Sequence, residues 1–260
     1  MPTLNYYNQR AKTYWEVVST VSIRNIKLRY KNSLLGFLWG LLNPLIFLSI
    51  FVFIFSQAFA DIENYPLFAL TGLIFWIFFS TTSNQVMNSL IESAGILKSL
   101  NIPPIIFPIS AISASLINLL LSFVPFFGLM LVFGFRPDWV TLMMFPLLVS
   151  FSVFTFGFSL VLASLNVYFR DVSMLWSTLL PALMYFTPVA YSSSLVPEKF
   201  RWIMKLNPLA HYIESFRDIL YYHRIPEVQY LISTTILSLG AIAMGILIFK
   251  KLKKGFISNF

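Results

Sequence analysis

The chain has 260 residues, of which 58% are hydrophobic and only 11% are charged, and its formal net charge is +8. A soluble domain carries about 25% charged residues, so this composition indicates that lipid is the main solvent of the chain. There are no cysteines, which excludes disulfides and thiolate metal sites. The opening residues, "MPTLNYYNQRAKTYWEVV", contain no short apolar core with a small-residue cleavage site, and we expect no cleaved signal peptide.

Residues 14–31 precede the apolar part of the chain and have the pattern of an amphipathic helix. At the helical period, four apolar residues share one face: Tyr14, Val18, Val21 and Leu28. Three cations share another face: Arg24, Lys27 and Lys31. We therefore predict an interfacial helix within a cytoplasmic region of residues 1–33. Attraction to anionic lipid headgroups is the simplest role for its cations.

Six windows of the sequence contain no charged residue, and each exceeds the roughly 20 residues that a helix needs to cross a bilayer core. Helices are favoured because the runs are far longer than barrel strands. We predict an all-α integral membrane protein with six transmembrane helices. Their approximate bounds are 34–58, 66–88, 108–134, 140–166, 173–191 and 229–249. They form one transmembrane domain, residues 34–253, followed by a cytoplasmic tail at 254–260.

The first predicted span contains two features that shape a helix. Gly36 and Gly40 form a small-xxx-small step, which predicts the close approach of a second helix. Pro44 lacks a backbone donor and predicts a kink. Four further prolines predict irregular helices: Pro125, Pro146, Pro181 and Pro188.

Two connecting segments have more than one interpretation. The long segment 192–227 is divided by Asn207-Pro208, which predicts two short helices that lie at, or dip into, the outer leaflet. A connector lying on the membrane surface is the alternative. Residues 89–103 join two charge-free windows on the inner side of the membrane. They could form a short helix that a partner protein pushes against, or they could be an ordinary connector.

The distribution of Lys and Arg predicts the orientation. With six spans both termini share one side, and that side holds 12 cations against 6 on the other. The positive-inside rule then places both termini in the cytoplasm. Because clustered cations in a membrane protein report topology first, we expect no nucleic-acid partner.

Several classes of function are disfavoured by what the windows lack. Ion-coupled transporters and proton relays need intramembrane ionisable groups, and the windows contain none. The two histidines, His211 and His223, have no carboxylate cluster at metal-ligand spacing, which argues against a metalloenzyme. No Gly-rich phosphate loop with Lys-Ser/Thr occurs, so we expect the chain to depend on a separate motor for ATP hydrolysis.

Three stretches together resemble the type-2 ABC exporter permeases of bacterial polysaccharide export. They are "IRNIKLRYKNSLLGFLWGLLNPL", "NVYFRDV" at 166–172 and "NPLAHYIESFRD" at 207–218. The resemblance covers essentially the whole chain and is greatest for O-antigen exporters. It implies a homodimer in the bacterial inner membrane with two copies of a separate ATP-binding subunit, which would bind ATP and Mg²⁺. This chain would hold no cofactor of its own, and its substrate would be a glycan on undecaprenyl diphosphate.

The resemblance also suggests site residues. Residues 89–103 would be the coupling helix, with three residues toward the ATPase: Glu92, Gly95 and Lys98. Four cations stand where the lipid diphosphate would arrive: Arg24, Lys27, Arg29 and Lys31. Aromatic rings pack on the C–H faces of sugars, and nine are candidates to line a channel: Phe37, Trp39, Phe75, Trp76, Phe79, Tyr168, Phe169, Tyr185 and Phe186.

Three other functions remain open at this point. A teichoic-acid or capsular-polysaccharide exporter permease has the same pattern. A membrane glycosyltransferase or ligase would need an acidic or histidine-based site, which we do not find in the sequence. A purely structural membrane scaffold is disfavoured by the charge-free windows and by the resemblance.

Overall fold

The computed structural model describes residues 16–27, 31, 33–100 and 102–260, and within these ranges it contains helices and turns but no β-strand. The all-α fold class is therefore confirmed for this part of the chain. The longer helices are α1 (16–27), α2 (Trp39–Phe55), α3 (Tyr65–Glu92), α4 (Ala94–Ser99), α5 (Ile106–Val132), α6 (Met144–Tyr168), α7 (Asp171–Phe186), α8 (Arg201–Leu206), α9 (Pro208–Leu220), α10 (Val228–Leu252) and α11 (Phe256–Asn259).

Four helical stretches of the described chain are long and apolar enough to cross a membrane. They are Tyr65–Ser99, Ile106–Val132, Val140–Tyr168 and Val228–Asn259, close to four of the six predicted spans. The predicted spans 34–58 and 173–191 correspond instead to α2, with 17 residues, and α7, with 16 residues. Helix α2 is at the short end of the roughly 17–25 residues that span a bilayer core, and α7 is just below it.

Local backbone chemistry explains why these two helices are short. Gly36 has a φ of +49°, a left-handed conformation that an α-helix cannot contain, and α2 begins only at Trp39. The predicted helical step from Gly36 to Gly40 was therefore wrong. At the end of α7, Pro188 disfavours helical backbone in the residue before it, and Thr187 is extended with φ −106° and ψ 134°.

Helix α3 occupies the centre of the fold and packs against α2, α5, α6, α7 and α9. The indole Nε1 of Trp176 donates to Ser83 Oγ at 3.0 Å, and the carbonyl of Val189 lies against Gly72. Residue numbers thus rise along the α7 segment as they fall along α3, so the two run antiparallel. The two residues of α3 are glycine and serine, and their small size permits these approaches.

Helices α6 and α10 run parallel and share an extensive contact. Near one end of the contact, Ser150 Oγ donates to the carbonyl of Thr234 at 3.3 Å. Near the other end, the Tyr168 hydroxyl donates to the carbonyl of Leu252 at 2.9 Å. Between them the backbone of Gly157 touches α10, and a Cβ there would collide with Ala241. Only a residue without a side chain fits this contact.

Helices α8 and α9 meet at Asn207. Its side chain accepts a hydrogen bond from Leu209 N at 3.0 Å, and Pro208 occupies the first position of α9, where a missing N–H costs nothing. Helix α9 is buried along most of its length and contacts α3, α6 and α10. It is part of the helix packing, so the alternative of a surface-lying connector does not describe it.

Candidate functional site

The cations of α1 face away from the protein. Val18 and Ser22 are buried, and the hydroxyl of Ser110 on α5 donates to the carbonyl of Val18 at 3.2 Å. Arg24 and Lys27 are exposed on the opposite part of the helix. Lys31 is also exposed, and Arg29 lies outside the described residues. The geometry leaves the predicted basic face available to an anionic ligand.

Helix α4 is attached by one side chain and otherwise open. Leu97 is buried in an apolar cluster that also contains Phe256 of α11. The three residues predicted to face the ATPase are all exposed: Glu92, Gly95 and Lys98. A Cβ built on Gly95 would meet no atom within 4 Å, so this surface has room for a docking partner.

The nine aromatic candidates separate into different environments. Four are exposed: Trp39, Phe169, Tyr185 and Phe186. Tyr168 is half-buried, and its hydroxyl is bound to the carbonyl of Leu252. The side chain of Phe37 lies outside the described part of the structure.

The other three aromatic candidates are buried in the core of α3: Phe75, Trp76 and Phe79. The ring of Phe75 stacks on Phe216 of α9 with centroids 3.5 Å apart. Phe79 contacts the edge of Trp176, with centroids 6.1 Å apart. These side chains line no open surface in this structure, and we leave them out of the channel lining. The sequence alone could not distinguish these core residues from channel-lining ones, because α3 is apolar and buried on almost every side.

Arg217 of α9 is a fully buried cation. Its Nη2 donates to the carbonyl of Val189 at 2.5 Å. Its Nη1 donates to the carbonyl of Tyr191 and to the carboxylate of Glu214, both at 3.3 Å. Its Cζ lies 3.8 Å from the centroid of the Phe68 ring. Burial lowers the pKa of Arg217, and the Glu214 carboxylate opposes that change. The guanidinium thus fixes the segment after α7 to α9 and α3.

Two polar cavities, not anticipated from the sequence, follow one another along α3. The first, about 480 Å³, lies between α2, α3 and α5, and its polar lining includes Asn43, Thr81, Gln85, Asn118 and Ser122. The second, about 310 Å³, lies between α1, α3 and α5, and its polar lining includes Asn25, Gln85, Ser89, Glu92 and Ser93. Gln85 borders both. The spacing of residues 81, 85 and 89 at i, i+4 and i+8 was the available sequence signal.

Comparison with known proteins identifies the family. Residues 16–221 match the family described as ABC-2 type transporter, a region that runs from α1 to the first residue after α9. This chain belongs to the ABC-2 type transporter family. Members of this family work with a separate ATP-binding subunit, and the long apolar helices are those of a multi-pass membrane protein.

Relatives of this ABC-2 protein are similar over nearly their full length. An O-antigen export system permease protein RfbA of Klebsiella pneumoniae is 33% identical over 244 residues, which are 93% of this chain and 94% of that protein. A protein of the same name in Myxococcus xanthus is 32% identical over 91% of this chain and 92% of its own length. The polysialic acid transport protein KpsM of Escherichia coli is 23% identical over 93% of this chain and 95% of KpsM.

Proposed function

We propose that the chain is the permease subunit of an ATP-driven exporter that moves O antigen, as a glycan on undecaprenyl diphosphate, across the inner membrane. The similarity to two O-antigen export permeases over more than nine-tenths of the chain carries this proposal. The absence of ionisable residues from the apolar windows and of a phosphate loop agrees with it. The chain acts as a transport subunit, and ATP and Mg²⁺ are bound by its partner.

The proposed assembly is a homodimer with six spans per protomer, both termini in the cytoplasm and a channel between the protomers. Helices α2 and α7 supply the first and fifth crossings, extended by the turns next to them. Helix α9 is re-entrant from the outer side. The burial of Arg217 removes it from the outer cations, which strengthens the charge asymmetry that supports this orientation. Residues 1–33 and 254–260 flank the transmembrane domain on the cytoplasmic side.

Each exposed surface then has a role in transport. Arg24, Lys27, Arg29 and Lys31 receive the lipid diphosphate, because cations pair strongly with phosphate oxygens. The exposed face of α4 docks in the ATP-binding subunit through Glu92, Gly95 and Lys98. The exposed aromatic rings line the path of the glycan: Trp39, Phe169, Tyr185 and Phe186.

Export of a capsular polysaccharide is the second candidate. Its support is the 23% identity to the polysialic acid transport protein KpsM, which extends over the same share of the chain as the stronger similarity to the O-antigen permeases. We place it second because that identity is lower.

Gene deletion and co-purification test the proposal together. Deleting the gene in its source bacterium should remove O antigen from the surface while lipid-linked glycan accumulates inside, and plasmid-borne permease should restore export. A Walker-motif ATPase should co-purify in equal amount, and the permease alone should hydrolyse no ATP. Normal surface O antigen in the deletion strain, or ATP hydrolysis by the isolated permease, would refute the assignment.

A further inference from the structure

Two rows of uncharged polar side chains face each other across the α3–α5 contact. On α3 the row is Thr81, Gln85 and Ser89, and on α5 it is Ser115, Asn118 and Ser122. The Ser115 hydroxyl donates to Gln85 Oε1 at 2.8 Å and joins the rows. Gln85 Nε2 makes no hydrogen bond to another described residue. A polar group among apolar helices is costly to leave without a partner, and a ligand that accepts from the Gln85 amide would supply one.

The two cavities bordered by these rows are adjacent, because Gln85 lines both, and together they are called the cleft here. From Thr81 to Glu92 the cleft follows α3 for about 16 Å, at 1.5 Å per residue. Its inner end lies beside α1, through Asn25, and beside the start of α4, through Ser93. The cleft therefore connects the basic helix, the α4 surface and the interior between α2, α3 and α5.

The donors and acceptors of the cleft match a ligand rich in neutral hydroxyl groups. The hydroxyls of Thr81 and Ser89 donate to the carbonyls of Ile77 and Val86, both at 2.7 Å, which leaves their oxygens as acceptors. The amide nitrogens of Gln85 and Asn43 supply donors. Trp39 adds an aromatic face at the border of the first cavity, where sugar C–H groups pack well.

The charges around the cleft favour the neutral sugars of a ligand over its diphosphate. The described lining of the first cavity is uncharged, and Glu92 is the one charged residue in that of the second. A carboxylate repels a diphosphate, whereas it accepts hydrogen bonds from sugar hydroxyls. A diphosphate would therefore stay at Arg24 and Lys27, outside the cleft.

We propose that this cleft, within a single protomer, binds the neutral saccharide units next to the lipid diphosphate before they pass into the channel. The inference rests on the proposed export function and extends it by naming a glycan-binding site. Occupation of the inner cavity would place sugar against Glu92 and Ser93, at the junction with α4. The cleft thus gives the ATPase-docking surface direct contact with bound substrate.

Cysteine accessibility tests the cleft, because the chain contains no cysteine of its own. Thr81→Cys and Gln85→Cys are introduced separately into the permease–ATPase complex in inside-out membrane vesicles without ATP. A water-soluble maleimide is applied to vesicles from cells that make the lipid-linked glycan and from cells that cannot start its synthesis. We expect labelling in glycan-free vesicles and labelling at least about tenfold slower in glycan-loaded ones. Either variant gives a result if the other fails to accumulate.

Two control positions calibrate the labelling. Lys250→Cys, exposed near the end of α10 on the proposed cytoplasmic side, should react in glycan-free vesicles and shows that the reagent reaches the protein. Thr235→Cys, exposed on α10 away from the cleft, should react slowly with or without glycan if it faces lipid. A third arm uses glycan-free liposomes with and without phosphatidylglycerol, whose headgroup also carries neutral hydroxyls.

Each outcome decides the question. Equal labelling of Thr81→Cys with and without glycan would show a cleft filled by water only, and no labelling in either case would show a closed one. Protection by phosphatidylglycerol would assign the cleft to a lipid headgroup. All three results overturn the saccharide site. Export by the wild-type chain is measured separately in the deletion strain, so a failure of the proposed function is recognised independently.

Discussion

The hydroxyl oxygen of Ser122 on α5 lies 3.1 Å from the carbonyl oxygen of Gly40 on α2. Gly40 is four residues before Pro44, which has no N–H with which to complete the helical bond to that carbonyl. Ser122 Oγ also lies 3.1 Å from the carbonyl of its own residue four back, Asn118, so one proton serves two acceptors. A neighbouring helix thereby satisfies the carbonyl that proline leaves unpaired, as lipid surroundings require.

We predict that Ser122→Ala destabilises the permease by about 0.6–1.7 kcal/mol, between the average and the largest contribution measured for interhelical hydrogen bonds in a membrane protein. The penalty should nearly vanish in a Pro44→Ala background, because alanine restores the backbone N–H that proline lacks. Unfolding in detergent by thermal or denaturant titration measures the four members of this double-mutant cycle. Ser113→Ala on α5 is the control, since its hydroxyl donates within its own helix to Ile109. Equal penalties in both backgrounds would contradict this role of Ser122.

Gly157→Ala should destabilise the permease by about 1–3 kcal/mol, because the new methyl group overlaps the backbone of α10 and neither helix can yield cheaply. Gly240→Ala, on α10 itself, is the matched control, because a Cβ there meets no atom within 4 Å. Thermal unfolding in detergent and membrane abundance measure both variants. Equal stability of the two variants would show that α6 and α10 are not in this close contact.

Arg217→Met should lower the free energy of unfolding by about 1–3 kcal/mol, because the carbonyls of Val189 and Tyr191 lose their donor inside the protein. Arg201→Met is the control. Its ion pair with Glu198 is exposed, with 50% and 87% of the two side chains accessible, and its loss should change stability by less than about 0.5 kcal/mol. Limited proteolysis should also show faster cleavage after α7 in Arg217→Met only. Identical unfolding curves for the two variants would contradict the role of the buried guanidinium.

Gly95→Trp should abolish co-purification of the ATP-binding subunit without changing permease abundance. Residue 95 is exposed on α4 with open space around it, so the indole clashes with a docked partner and not with the permease. Gly128→Trp, on an exposed part of α5 with equal space, tests whether any added indole has this effect. Undiminished ATPase recovery with Gly95→Trp would show that the partner docks elsewhere.

Arg24→Gln combined with Lys27→Gln should reduce surface glycan by at least about tenfold at equal permease abundance. Each charge-assisted contact to a phosphate contributes about 1.5–3 kcal/mol, and about 1.4 kcal/mol corresponds to a factor of ten. Lys250→Gln with Lys251→Gln removes two exposed cations elsewhere on the proposed cytoplasmic side and should leave export near wild type. Equal export by both double variants would show that the cations of α1 serve only to anchor the helix to the membrane.

The sequence predicted the long helices well because an apolar run of about 20 residues without charge is typical of a transmembrane helix and rare elsewhere. Helices α3, α5, α6 and α10 begin and end within a few residues of their predicted bounds. The first and fifth spans were predicted too long because hydropathy takes no account of backbone conformation. Gly36 and Pro188 interrupt helical backbone at sites that are as apolar as their surroundings.

The candidate site was less predictable, because it depends on which way side chains face. Helix α3 is buried on nearly all sides, so Phe75 and Phe79 carry no periodic signal that separates core from channel. Arg217 stands in a segment that also contains Glu214 and Asp218, and arginine is rarely fully buried unless it is paired. Its burial becomes evident only when the carbonyls that follow α7 are seen beside it.

The parallel packing of α6 and α10 has a consequence for the biogenesis of the protein. The contacts from Ser150–Thr234 to Tyr168–Leu252 join residues that are far apart in the chain, and α10 is synthesised well after α6. Until it enters the bilayer, the surface around Gly157 faces lipid or a chaperone. A nascent chain stalled before residue 228 would present this groove to any helix with small residues.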